Sequence, residues 1–174
     1  RIVEFLFERI RHYSRVVHLL RDDVIEAVLK PVHHKVVDLV DLVHKMKALE
    51  TMTRKPEFDP LIVGFKRAHR LVEKEQWSWD PVDITKFQHA VESVLQQAVT
   101  DERGRMAAAM SAGDYTQALE ALVRLKPAID AFFMAVMVNA DDKAVRNNRL
   151  SLLKEVDDLF MVFADFSQIV VQGS

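Results

Sequence analysis

Apolar side chains recur every three or four positions along most of the chain, a spacing that is typical of amphipathic α-helices. The longest of these stripes lies near the C-terminal end, directly after the candidate helix-capping residues Asp141 and Asp142. All of its members except Arg149 are apolar, and they are Val145, Arg149, Leu152, Val156, Leu159, Phe163, Phe166 and Val170. The stripe predicts a long final helix whose apolar face packs into a core.

Shorter stripes predict the helices that come before it. They cover residues 1–20, 22–29, 36–49 and 59–75, and then a longer stretch from about residue 83 to Gly113. Asp59 and Pro60 form a favourable start for the fourth helix, as N-cap and first helical residue. After Gly113, Asp114 opens another helix, and Pro127 kinks or restarts it because proline lacks a backbone donor.

Composition agrees with an all-α protein. The 174 residues are 49% hydrophobic, enough to bury a substantial core, and include only 4 Gly and 5 Pro. Two organisations fit the helices: one bundle of about six to eight helices, or a short helical connector over residues 1–55 that leads into a C-terminal multi-helix bundle over residues 56–174. We favour the second. Because Arg1 already lies inside a helical pattern, without an initiator Met, we also expect a piece of a longer chain.

Several classes of function are disfavoured by what the sequence lacks. Without cysteine, neither disulfides nor thiolate metal sites can contribute. No apolar run approaches the roughly 18 residues of a membrane span, and no signal peptide, phosphate-binding glycine loop or nucleophile motif is visible. His33 and His34 are adjacent, so on a helix they would diverge by about 100° and share a metal ion poorly. We expect no catalytic residue and no metal site.

The strongest basic stripe lies on the fourth predicted helix. At about 100° per residue, Lys66, Arg67, Arg70 and Lys74 fall within one arc of roughly 100° opposite the apolar face. Such a row of cations can contact the phosphates of a nucleic acid, or it can be a solvated face balanced by neighbouring glutamates. The whole chain has 24 basic and 26 acidic residues, a net charge of −2 that does not decide between the two.

Arg149 is the anomaly of the final stripe, because an arginine buried among apolar residues is strongly unfavourable unless it is paired. Arg146, Asn147 and Asn148 precede it, so the first turns of this helix are rich in hydrogen-bond donors near the positive end of the helix dipole. Arg149 is either structural, with Asp130 as the nearest candidate partner on another helix, or part of a ligand site. We favour a structural role for Arg149 and a ligand role for Arg146 and Asn147.

The clearest linker covers residues 76–83 and contains the turn-forming pair Asp80 and Pro81. Its two tryptophans, Trp77 and Trp79, could stack on an unpaired base. Aromatic residues in loops more often pin the loop to the protein body, and we favour that interpretation here.

The C-terminal stretch resembles a known family. Its residues IDAFF–AVMV–ADD–AVRNNRLSLL–LF–ADFS, from Ile129 to Ser167, are similar to the C-terminal end of the β subunit of bacterial glycyl-tRNA synthetases. Similarity continues in the segments SAGDYTQALEAL and GFKRA. The sequence departs from the family pattern at Met134, where an acidic residue is usual, and at Asn139, where Met is usual.

The resemblance implies an all-helical anticodon-binding domain of the DALR type that binds tRNA-Gly and does not itself catalyse. The residues then expected to contact tRNA are Lys66, Arg67, Arg70, Arg146, Asn147, Asn148 and Arg149.

The resemblance also implies partners. In the family, ATP, Mg²⁺ and the glycine pocket belong to the α subunit, so we expect no cofactor in this chain. We expect the α subunit as a partner, in a heterotetramer of two α and two β subunits, in the cytoplasm and without a membrane. The alternative function is a non-catalytic helical module that docks another subunit.

Overall fold

The computed structural model describes residues 2–32, 35, 37–78 and 80–171, with Ile2 described through its backbone only. These residues form helices and no strand, which confirms the all-α expectation. The α-helices, in chain order, are α1 Ile2–Val16, α2 Asp22–Leu29, α3 Leu39–Met52, α4 Phe58–Lys74, α5 Ala90–Ser111, α6 Tyr115–Arg124, α7 Lys126–Ala135 and α8 Lys143–Phe163. Short 3-10 turns lie at Lys30–Val32, Ile84–Lys86 and Phe166–Gln168.

Two helix starts differ from the sequence prediction. The side chain of Asp38 accepts hydrogen bonds from the backbone N–H groups of Val40 and Asp41, so α3 starts at Leu39, a few residues later than predicted. At the start of α4, Glu57 occupies the N-cap position and Asp59 lies inside the first turn. The prediction of Asp59 as N-cap was therefore wrong, although an acidic side chain in the first turn still favours the helix dipole.

The segment before α5 also differs. A helix was predicted from about residue 83. Instead, the carboxylate of Asp83 accepts hydrogen bonds from the backbone N–H and the hydroxyl of Thr85, and Asp83 caps the start of a short 3-10 turn over Ile84–Lys86. The α-helix begins at Ala90, where Glu92 accepts from the backbone N–H groups of Gln88 and His89, each at 2.8 Å. These two bonds satisfy donors that a helix start otherwise leaves open, and they place the N-cap at His89.

Three helix boundaries in the middle of the chain follow the predicted chemistry. Gly113 has φ +70°, a backbone conformation that favours glycine, and it ends α5. The carboxylate of Asp114 then accepts from the backbone N–H of Gln117 at the start of α6. Pro127 lies in the first turn of α7, so the chain restarts a helix there.

The last helix is shorter than its stripe. Asp142 caps α8 as predicted, but the helix ends at Phe163, and the continuation to Val170 was wrong. The cause is Asp165: its carboxylate accepts from Ser167, and its backbone N–H donates to the carbonyl of Ala27 at 2.7 Å. Phe166 is still buried in the 3-10 turn that follows, whereas Val170 is exposed.

The core is built around the antiparallel pair α4 and α8. The ring of Phe65 on α4 stacks on Phe160 of α8 with centroids 4.7 Å apart, and Phe166 packs edge-on against Phe65 at 6.0 Å. Helix α7 crosses α4 at Gly64, where an added Cβ would lie 3.2 Å from Cγ2 of Ile129. This close approach brings the C-terminal end of α7 alongside α4.

The first three helices share this core. Lys30 pairs with the buried Asp165 at 2.6 Å, and Asp23 accepts from the backbone N–H of Val170 at 2.7 Å. Burial by itself raises the pKa of Asp165, but the hydrogen bonds from Lys30 and Ser167 outweigh it, so the pKa lies below the ordinary value. This packing fits the alternative of a single bundle, and a domain boundary at residue 55 stays a prediction.

The two helical glycines provide a matched test of the α4–α7 contact. We expect Gly64→Leu to lower the free energy of unfolding by about 1–3 kcal/mol, because the larger side chain is forced against Ile129. Gly104→Leu in α5, where an added Cβ meets no atom within 4 Å, is expected to be neutral or stabilising by up to about 1 kcal/mol. Urea unfolding of both variants measures the difference, and equal effects would contradict the close α4–α7 approach.

Candidate nucleic-acid interface

The C-terminal ends of α4 and α7 and the N-terminal end of α8 meet at one end of the bundle. An ion pair between Arg146 on α8 and Glu75, the residue after α4, joins two of these ends. The guanidinium of Arg67 lies over the ring of Phe133 on α7, 4.2 Å from its centroid, and joins the third. We call this surface the α4–α8 end; its polar and aromatic groups are Arg67, Arg70, Lys74, Phe133, Arg146 and Asn147.

Helix α4 gives this end an exposed row of cations. Arg67, Arg70 and Lys74 are spaced by three and four residues, so they share one helix face, and all three are exposed. Within the part of the chain that the structure describes, neither Arg70 nor Lys74 forms an ion pair. Arg67 likewise forms none there, so none of the three charges is neutralised by a described carboxylate.

Lys66, predicted as part of the same row, lies elsewhere. It is half-buried, and its Nζ donates to the backbone carbonyl of Ile169 at 2.6 Å. This bond ties α4 to the C-terminal turn, which leaves Lys66 directed away from the exposed face that Arg67 and Arg70 share. The predicted arc of cations is therefore divided between a structural lysine and an exposed row.

At the start of α8, Arg146 and Asn147 are half-buried. One terminal nitrogen of Arg146 is held by Glu75, while its Nε is buried without a hydrogen-bond partner among the described residues. The side-chain amide of Asn147 also has no hydrogen-bond partner among those residues. Both side chains therefore retain hydrogen-bonding groups that a ligand could satisfy.

Asn148, in contrast, is buried and fully engaged with the preceding linker. Its side-chain carbonyl accepts from the backbone N–H of Asp83 at 2.7 Å, and its Nδ2 donates to the carbonyl of the same residue at 3.0 Å. This paired contact resembles one rung of a β-ladder and fixes the linker against α8. Asn148 belongs to the packing of the domain, not to the surface that a polynucleotide could reach.

Arg149 is only 3% exposed, and three of its nitrogens have partners. Nε donates to Glu92 at 3.1 Å, Nη1 to the carbonyl of Met137 at 2.8 Å, and Nη2 to the side chain of Gln88 at 3.1 Å. The geometry supports the structural interpretation. The predicted partner Asp130 was wrong, because that carboxylate pairs with Lys126 one turn earlier on its own helix.

The sequence does contain a signal for Glu92, the carboxylate that pairs with Arg149. Glu92 stands three residues after His89, the position of the acidic residue in a capping box. The usual signature begins with Ser, Thr, Asp or Asn, and His89 does not match it. The inward-facing Glu92 was therefore missed.

The linker is pinned to α8 by a second contact. The indole N–H of Trp77 donates to the hydroxyl of Ser151 at 3.2 Å, which confirms the pinning interpretation for this tryptophan. Trp79, like the adjacent pair His33 and His34, lies outside the described residues.

A partly buried acid–imidazole pair lies next to the cationic row on α4. His69 Nδ1 is 2.7 Å from the carboxylate of Asp157 on α8, and the His69 ring stacks on Phe65. Burial raises the pKa of Asp157, and the contact with His69 opposes that rise. The pair ties α4 to α8 next to Arg70.

Two other kinds of site are absent from the described residues. No group of three or more His, Asp or Glu side chains there is arranged to hold a metal ion. No helix within those ranges is long and apolar enough to cross a membrane.

Comparison with known proteins identifies the class. Residues 61–162, more than half of the chain, match the family described as the DALR anticodon binding domain, and the chain belongs to that family. The match begins within α4 and ends within α8, so it contains the whole α4–α8 end.

More specific relatives are beta subunits of glycine–tRNA ligases, which confirms the resemblance seen in the sequence. The one from Citrifermentans bemidjiense is 42% identical over 160 residues, which is 90% of this chain and 23% of the relative. That from Geobacter sp. strain M21 is 41% identical with the same coverage, and that from Myxococcus xanthus is 36% identical over 97% of this chain and 24% of its own length. The chain thus spans about a quarter of the length of these relatives.

The Arg149 network gives a stability prediction. Arg149→Ala should lower the free energy of unfolding by about 3–5 kcal/mol, because it leaves the buried Glu92 without its cation. The double variant with Glu92→Gln should lose clearly less free energy of unfolding than the two single variants lose together, because the neutral amide leaves no buried charge unpaired. Urea unfolding of the three variants measures this coupling. Additive losses would mean that the two groups act independently.

Proposed function

We propose that this chain binds the anticodon arm of tRNA through the α4–α8 end, as a module of a glycine–tRNA ligase. The observation that carries the proposal is the family match over residues 61–162, the same segment that presents the exposed cations of α4. The glycine–tRNA ligase relatives supply the tRNA species, tRNA-Gly.

The phosphate contacts are assigned to Arg67, Arg70 and Lys74. These residues span about 10 Å along α4 at 1.5 Å per residue, long enough to follow a curved backbone over more than one nucleotide. Cations on an exposed face attract phosphates and release their counterions without a large desolvation penalty. Lys66 is left out of this set because its ammonium is bound to Ile169.

Arg67 has an additional role in this proposal. Its planar guanidinium already lies over the ring of Phe133, 4.2 Å from the centroid, and this contact restrains its orientation before the ligand arrives. The outer face of a stacked guanidinium can receive an unpaired base, and its edge can donate to a phosphate. Such preorganisation reduces the ordering cost of binding.

Base reading is assigned to Arg146 and Asn147. Glycine anticodons share two cytosines, and an unpaired cytosine offers an amine donor beside ring-nitrogen and carbonyl acceptors. The amide of Asn147 can both donate and accept, and the unpartnered Nε of Arg146 can donate once the side chain turns from Glu75. Asn148 and Arg149 are buried, support the α4–α8 end from inside and take no part in reading bases.

The chemistry of the ligase belongs to a different polypeptide in this proposal. Activation of glycine with ATP and Mg²⁺, and its transfer to tRNA, would take place on an α subunit, in a heterotetramer of two α and two β subunits in the cytoplasm. The word "beta" in the names of the relatives supports a second kind of subunit. The present chain would supply tRNA binding.

Salt dependence tests the phosphate contacts. The triple change Arg67→Ala, Arg70→Ala and Lys74→Ala should weaken binding of any tRNA anticodon arm, and each lost contact should reduce the slope of log K against log salt by roughly 0.7 to 0.9. Arg54→Ala is the matched control, because this exposed arginine precedes the opposite end of α4. Unchanged slopes in the triple variant would show that the row only faces solvent.

A second experiment tests base reading. The double change Arg146→Ala and Asn147→Ala should weaken binding of the glycine anticodon arm and reduce its preference over arms with either cytosine changed to uracil, toward equal affinity. Lys143→Ala, an exposed cation in the same turn, should weaken all arms equally and keep the preference. Fluorescence titration of the arms measures both. Full discrimination in the double variant would place base reading elsewhere.

A further inference from the structure

The outer face of α1 is more apolar than an exposed helix requires. Large hydrophobic side chains stay exposed along this helix and the turn after it, and they are Val3, Phe5, Leu6, Tyr13, Val16, Val17 and Leu19. Among the described large apolar side chains of this segment up to Leu19, only Phe7 and Ile10 are buried. Contiguous exposed apolar surface of this kind marks a site of interaction.

Part of this face forms one wall of a groove of about 520 Å³ between α1 and α3. Its apolar lining side chains are Leu6, Ile10, Tyr13, Leu39, Val40 and Val43. On α1 these residues follow a spacing of four and three, and on α3 a spacing of one and three, so each wall is a helical stripe. A groove with an apolar helical stripe on each wall is a geometry that can receive a third helix.

The rim of the groove carries charge of one sign. Its basic lining residues are Arg9, His18, His44 and Lys47, and no aspartate or glutamate is among the described lining residues. Arg9 lies over the ring of Phe5 and forms no ion pair with a described residue, and Lys47 also has none. The groove therefore offers an apolar floor between cations that are not neutralised.

The turn that closes the groove is strained. Leu19 has φ +53°, a conformation that non-glycine residues rarely adopt, and its side chain is 81% exposed. It follows His18, whose ring packs edge-on against Tyr13 at 5.0 Å. A leucine held outward in a strained turn fits a contact that forms with a partner.

We propose that this groove docks an acidic amphipathic α-helix of a partner protein. Leucine-type side chains at positions i, i+3, i+4 and i+7 of that helix would fill the apolar floor. Glutamate or aspartate side chains on its flanks would face Arg9 and Lys47. The proposal uses no residue of the α4–α8 end and stands independently of tRNA binding.

Two other occupants fit less well. In a second copy of this chain, docked face to face about a two-fold axis, Arg9 and Lys47 would meet the same cations of the partner copy. A nucleic acid would place phosphates beside the cations, but the floor between them is apolar and offers phosphate no hydrogen bond. An acidic helix uses both the apolar floor and the rim.

The probes for this test are two fluorescently labelled synthetic helical peptides of fourteen residues each. Both carry Leu at i, i+3, i+4, i+7 and i+11; the remaining positions are Glu and Ala in one, and Lys and Ala in the other. Fluorescence anisotropy with the 174-residue chain should show the acidic probe binding at least tenfold tighter than the basic one.

Substitutions then locate the site. Val40→Asp, at a residue 63% exposed, should weaken the acidic probe at least tenfold, whereas Val63→Asp on α4, 55% exposed, should not. Arg9→Glu with Lys47→Glu should reverse the preference toward the basic probe. Circular dichroism checks that each variant keeps its helix content, and thermal melting that it stays folded.

Three results would overturn the proposal. The first is equal binding, or no binding, of the two probes. The second is self-association of the chain in analytical ultracentrifugation that Val40→Asp abolishes, which would assign the groove to a second copy. The third is displacement of the acidic probe by a tRNA anticodon arm that persists in the Arg67, Arg70 and Lys74 triple variant, which would assign the groove to nucleic acid.

Discussion

The buried ion pair between Arg149 and Glu92 is the constraint on which the α4–α8 end of this bundle depends. Two charges removed from water are tolerated only when their hydrogen-bonding capacity is met, and here the arginine reaches a carboxylate, an amide and a backbone carbonyl. The same carboxylate accepts the two backbone donors before α5. One salt bridge thus fixes α8, the start of α5 and the turn after α7 relative to one another.

This network also separates the polar residues of the region by role. Asn148 holds the linker against α8, and Arg149 holds α8 to the start of α5, so neither side chain is available at the surface. Lys66 is likewise bound to the C-terminal turn, while Arg67 and Arg70 remain exposed on the next positions of the same helix. Residues that are adjacent in sequence point about 100° apart on a helix, which is why a single cluster contains both supports and candidate ligands.

The bundle presents two surfaces that would attract their partners through different forces. At the α4–α8 end, exposed cations favour a polyanion, and attraction of that kind falls steeply as salt rises. In the groove between α1 and α3, apolar area is the main driving force and charge selects among partners. Because the surfaces use different helices, occupation of one does not sterically require that the other be vacated.

The sequence by itself determined the helices, several of their ends and the family. Asp142, Gly113 and Asp114 act as predicted because capping involves backbone groups only a few residues away. Periodicity also placed Arg149 on the inner face of the last helix. Its partner could not be read the same way: Glu92 lies 57 residues away, and Asn148 bonds a backbone 65 residues away. Which helices meet depends on side-chain packing across the whole core, and only the tertiary structure decided that Arg149 pairs with Glu92, that Lys66 turns to Ile169, and that α1 keeps an exposed apolar face.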